Sequence, residues 1–120
     1  KVILALSTEA NLKSQKELDL HDVSLIEEGR KLMNSDNMRC TECHKFREYE
    51  DEPDGPDLTG YGSREWLVNI ISNPTHEQYY GERNDRMPAF ADDGILTRQQ
   101  IEMIADWLRG EWYEPQTAAR

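Results

Sequence analysis

Apolar residues in this chain gather into three stretches at helical spacing, separated by long polar segments with little periodic order. In the first stretch Leu25, Ile26, Leu32 and Met33 share one helix face. Ser24-Leu25-Ile26-Glu27 has the form of a capping box and predicts a start at Ser24. Gly29 lies on the same face. A helical glycine costs roughly 1 kcal/mol against alanine, so close approach of another helix is the reason to expect. The second stretch opens at Ser63, carries Trp66, Leu67, Ile70 and Ile71, and ends at Asn73-Pro74, because the residue before a proline is pushed out of the helical region. Residues 75–80 have room for one or two more turns before Gly81. The third stretch starts at Thr97-Arg98-Gln99-Gln100, a capping box with glutamine. It places Ile101, Ile104, Ala105, Trp107 and Leu108 on a buried face and stops at Gly110. Met33 and Met103 fall inside helical runs and read as core methionines. There is no convincing strand alternation and no Asn-Gly hairpin turn. The fold class is all-α, with three main helices and long loops.

Those loops need a reason. Residues 45–62 and 81–96 hold little periodic structure, and structureless loops of that length are uncommon in a small domain. A chain of 120 residues, 37% hydrophobic, suffices for one domain but leaves a thin core. Cys40-Thr41-Glu42-Cys43-His44 supplies what the loops would wrap. C-x-x-C-H is the attachment signature of a c-type haem. Two thiols three positions apart can add to the two vinyl groups of a haem, and the next imidazole can bind its iron. These are the only cysteines, so no disulfide framework is available, and a four-ligand Cys/His zinc site would have to draw on His21 or His76, far away in sequence, beside His44. A thioredoxin-like C-x-x-C expects a βαβ setting, which is missing here. A disulfide between Cys40 and Cys43 would leave His44 unexplained.

The second axial position sets the function: Met/His gives a high-potential electron carrier, an open site gives ligand binding or catalysis. Met38 lies two residues before Cys40, too close to cross to the other ring face. Met87 lies 43 residues beyond His44, in the breaker-rich run Asn84-Asp85-Arg86-Met87-Pro88-Ala89-Phe90. Pro88 fixes φ and lacks an N–H, which suits a rigid loop presenting the preceding side chain. Met87 is favoured as the distal ligand over a packing role.

Over about residues 22–113 the chain resembles the class I, mono-haem cytochromes c. Gly29-Arg30-Lys31-Leu32-Met33 resembles the first-helix segment that crosses the last helix in that family. Gly55-Pro56-Asp57-Leu58-Thr59-Gly60 resembles the G-P-x-L-x-G loop, which implies that Pro56 packs by the haem and that its carbonyl accepts the second ring N–H of His44. Trp66-Leu67 resembles the middle helix, whose indole reaches a haem propionate. Met87-Pro88-Ala89-Phe90 resembles the distal-ligand loop, and residues 96–108 the closing helix, with Trp107 where an aromatic packs on the first helix. More weakly, residues 79–90 resemble cytochrome c domains attached to membrane cytochrome b-type complexes. The resemblance implies one haem c per chain, covalent through Cys40 and Cys43, with His44 and Met87 on iron and Pro56 and Trp66 beside it. It implies one-electron transfer with redox partner proteins, free or within a larger respiratory complex, rather than an enzyme transforming a substrate. A ligand-binding sensor or peroxidase-like haem enzyme with a labile distal ligand is the alternative. The implied location is periplasmic or otherwise extracytoplasmic, tethered to a membrane only through sequence outside this segment.

Residues 1–20 fall outside the resemblance and form an N-terminal extension or linker, ahead of a domain over 21–113 and a tail over 114–120. Val2-Ile3-Leu4-Ala5-Leu6 is far shorter than the roughly 20 residues of a membrane span. It reads either as an extended arm on the domain or as a membrane-proximal linker. Fourteen basic against 24 acidic residues give a net charge of −10, which argues against nucleic-acid binding and docking on anionic lipid. Glu48, Glu50, Asp51, Glu52, Asp54 and Asp57 follow the haem anchor directly. A charge run is usually a solvated loop; the sharper reading is a docking surface that steers a basic partner.

Overall fold

The computed structural model describes residues 1–49, 51 and 53–111. The order is α1 (Val2–Glu9), α2 (Lys16–His21), α3 (Val23–Met33), α4 (Arg64–Ser72) and α5 (Arg98–Leu108), with no strand among the described residues. The three helices expected from periodicity are α3, α4 and α5, and two shorter ones precede them.

Val2–Glu9 is helical, not extended, and packs along α3. Gly29 is the point of closest approach: a Cβ there would collide with the Lys1 carbonyl and stand 2.9 Å from Ala5 Cβ. The expectation of a helix crossing at Gly29 holds, but the partner is α1 rather than the last helix. Helix α3 begins at Val23 with Asp22 at its N-cap, so Ser24 lies inside the first turn and forms no capping box.

Helices α4 and α5 form the second pair, joined through Trp66, Val68, Ile70, Ile71, Ile101 and Ala105, with Tyr79 in the same cluster. Their starts follow the sequence signals. Ser63 Oγ accepts the Trp66 N–H at 3.2 Å, and Thr97 and Gln100 exchange side-chain to backbone bonds in a full capping box. The broad apolar face expected for α5 is only half used: Ile101 and Ala105 are buried, whereas Ile104, Trp107 and Leu108 are 38%, 64% and 54% exposed, and Met103 is 64% exposed. One neighbouring helix covers one stripe of a helix, and among the described residues α4 is the only helix that packs substantially on α5. Leu96, Met103, Ile104 and Trp107 therefore line an open apolar hollow.

Polar contacts act both within the second pair of helices and between the two pairs. Arg64 on α4 pairs with Asp106 on α5 at 2.6 Å. Arg109, its side chain 6% exposed, donates to the Ala10 and Gly62 carbonyls at 2.6 and 2.7 Å and to Glu111 at 3.0 Å. The N-terminal segment is thereby tied to the end of α5.

Candidate functional site

Cys40 opens a single tight turn, Cys40–Glu42, entered through Arg39 in the left-handed region at φ +56°. The Cys43 and His44 N–H groups both donate to the Cys40 carbonyl, at 3.2 and 3.0 Å. Both thiols are free, Cys40 half-buried and Cys43 exposed. The turn thus keeps two accessible sulfurs and an imidazole on five consecutive residues. Among the described residues no group of three or more Cys, His, Asp or Glu is placed to hold a metal ion by itself.

The loop carrying Pro56 is laced to this turn. Gly55 N–H donates to the Cys43 carbonyl at 2.6 Å, and Leu58 N–H to the Lys45 carbonyl at 2.9 Å. A Cβ at Gly55 would collide with the Cys43 carbonyl and stand 3.0 Å from the His44 ring, so this approach requires glycine. His44 Nδ1 lies 2.9 Å from the Pro56 carbonyl oxygen. That contact places the proton on Nδ1 and leaves Nε2 as the nitrogen free to bind a metal.

Trp66, expected beside a propionate, has another partner: its indole N–H donates to the Asp57 carbonyl at 2.9 Å. A buried indole needs an acceptor, and the proline loop provides one. Trp66 also packs edge-on against Tyr61 and Tyr79, with centroids 4.9 and 5.4 Å apart. Tyr79 is buried and its hydroxyl has no hydrogen-bond partner. Burial pushes its phenol pKa up, and the nearby Asn69 amide opposes this without reaching hydrogen-bond geometry.

Met87 is partly buried against the α4–α5 cluster beside Phe90 and Leu96. Asn84 clamps its backbone from both sides: the amide nitrogen donates to the Met87 carbonyl at 2.7 Å, and the amide oxygen accepts the Met87 N–H at 3.2 Å. Phe90 and Ala91 N–H groups then attach the loop to the Ile71 and Ser72 carbonyls at the end of α4. Arg86 is 90% exposed and faces Asp85 at 3.6 Å. His21 and His76 are exposed, as surface histidines. Of the acidic run, Glu50 and Glu52 lie outside the described residues. Glu48, Asp51 and Asp54 are exposed, with Asp54 paired to Arg83 at 2.8 Å. Asp57 departs from the solvated run, since its carboxylate accepts the Thr59 N–H at 2.7 Å.

A helical protein with a free C-x-x-C-H turn, a histidine oriented by a proline-loop carbonyl and a clamped methionine loop has the make-up of a c-type haem protein. Residues 26–112 match the family described as Cytochrome c, and the chain belongs to the cytochrome c family. Comparison with curated proteins and with solved structures returned no match. Membership carries a covalently bound haem c and the general role of an electron carrier, in domains that usually lie outside the cytoplasm. No helix among the described residues is long and apolar enough to cross a membrane. Sequence reasoning missed Asn84, Glu9 and Arg109, whose partners are distant or backbone groups with no sequence signature.

Proposed function

We propose that this chain is a one-electron carrier with a single haem c and His/Met axial ligation. The observation that supports it most directly is the His44–Pro56 contact at 2.9 Å, which orients a metal-binding imidazole directly after two free thiols. When bound, the haem supplies an iron that cycles between ferrous and ferric. The residues do the rest. Cys40 and Cys43 would hold the group through thioether bonds, and His44 would bind iron through Nε2, with Pro56 raising its basicity. Met87 would be the second ligand, and the Asn84 clamp would limit its movement between oxidation states. A thioether ligand raises the reduction potential relative to harder donors. Trp66 supports the proline loop in this reading rather than a propionate. The unpartnered Tyr79 hydroxyl fits a polar group of the cofactor better.

A sensor or peroxidase-like site would want an acid–base pair beside the distal position. Asp85 and Arg86 are the nearest charged residues in sequence, and both are exposed and turned toward each other. The redox partner would be a protein with a basic docking face or a membrane cytochrome complex, in the periplasm or a comparable compartment.

The test is a visible spectrum of protein matured with c-type haem, oxidised and reduced, for the parent and for Met87→Ala. A low-spin spectrum with a weak far-red ferric band, lost in the variant, is the expected result. A high-spin parent, or a spectrum indifferent to the substitution, would remove Met87 from iron and favour ligand chemistry.

A further inference from the structure

Among the described residues Glu9 is the one buried carboxylate, its side chain 3% exposed. It comes from α1, ahead of the segment that matches the family. One oxygen accepts Arg47 Nε and Nη2 at 2.8 and 2.5 Å, and the other accepts the Gly60 N–H at 2.8 Å. Arg30 of α3 approaches at 3.8 Å. Arg47 stands three residues after His44, held at φ +52°, a conformation that L residues adopt only when their surroundings impose it. Its backbone N–H donates to Thr59 Oγ1 at 2.7 Å. Gly60 closes the loop that begins at Gly55 and Pro56. Glu9 therefore grips both loops of the lacing that sets the Pro56 carbonyl against the His44 ring.

A buried carboxylate that leaves its donors loses their hydrogen bonds without regaining water, so its geometry is stiff. We infer that α1 is a brace on the proximal side of the haem, and that Glu9 is a positioning residue fixing where the Pro56 carbonyl meets His44. The inference rests on His44 being the proximal ligand. It adds that the orientation of that ligand is set by a segment outside the family domain.

The test uses the haem-loaded protein and the variants Glu9→Gln, Glu9→Ala and Arg30→Gln. Two readouts are taken: amide hydrogen exchange, and the NMR resonances of the His44 ring. In Glu9→Gln the Gly60 and Leu58 amides should exchange faster by about tenfold or more, since hydrogen bonds to charged groups are the stronger class. The α4 amides should stay unchanged and the His44 ring resonances should shift. Glu9→Ala should exaggerate this pattern, and Arg30→Gln should leave both readouts near the parent. Uniform acceleration of all amides, or His44 resonances that do not move in Glu9→Gln, would reduce Glu9 to an ordinary structural ion pair and overturn the inference. A parent protein without a low-spin spectrum would count against the proposed ligation alone, because the amide readout needs no iron.

Discussion

Gly55 is the residue on which the approach of the two loops turns. Its missing Cβ admits the Cys43 carbonyl and the edge of the His44 ring. Gly55→Ala forces those groups apart, and overpacking of this kind costs typically about 1–3 kcal/mol. Chemical denaturation should show a loss of that order, with incomplete haem attachment on expression; an unchanged midpoint would mean that the loop yields freely. Asn84 is the corresponding residue of the distal loop. Asn84→Leu removes both bonds to the Met87 backbone, so the far-red ferric band should weaken and titrate away at lower pH or temperature than in the parent. At this scale the sequence was legible where the chemistry lies in consecutive residues, as in Cys40 to His44. It was silent where a side chain meets a backbone group with no signature in the residues between them: Glu9 with Gly60, Asn84 with Met87, and Trp66 with the Asp57 carbonyl.

Helix starts with local caps were readable because the cap and its partner lie within four residues. Ser63 and Thr97 do what their sequence contexts imply. Ser24 does not, because Asp22 already stands where the chain turns into α3. Helix α1 was not readable: five apolar residues in a row have no period, and its packing against Gly29 of α3 is a tertiary contact that local pattern does not carry. Gly29→Val should therefore separate α1 from α3, with a stability loss of several kcal/mol drawn from overpacking at an intolerant contact. Circular dichroism and denaturation would check it, and an unchanged midpoint would contradict the packing. The α4–α5 pair carries its own pH dependence. Asp106 is held below the usual carboxylate range by its hydrogen bond to Arg64, and Glu111 by the Lys13 N–H and then Arg109. A carboxylate with a lowered folded-state pKa contributes stability that is present above its unfolded value, about 3.9–4.3, and is lost as pH falls through the lower folded value. Stability should thus decline on acidification below about pH 4. Asp106→Asn and Glu111→Gln should flatten that decline; the pairs are partly exposed, so the effect is small and weakens with salt.

The molecule as a whole consists of two helix pairs, α1 with α3 and α4 with α5, joined by loops and by a few polar links at Glu9 and Arg109 rather than by a shared core. Among the described residues the buried cluster between α4 and α5 holds seven side chains. A fold this thin needs the cofactor to close it, so a variant unable to attach haem, Cys40→Ala with Cys43→Ala, should show reduced helicity and a broad thermal transition. Full helicity with a sharp transition would show that the polar links suffice. The all-α class was legible because helical periods and caps are local. The pairing was not, because a family-like first helix leads one to expect contact with the last helix, and α1 occupies that groove instead. The net charge of −10 acts at the same scale. Glu48, Asp51 and Asp54 are exposed within fourteen residues of Cys40. Exposed like charges near a redox centre raise the encounter rate with a cationic partner, and salt screens them over a Debye length of about 8 Å at physiological ionic strength. The second-order rate of electron transfer to a basic carrier should therefore fall as ionic strength rises, and fall less after Glu48→Gln with Asp51→Asn. A rate flat in salt would place the docking surface elsewhere and return the acidic loop to plain solvation.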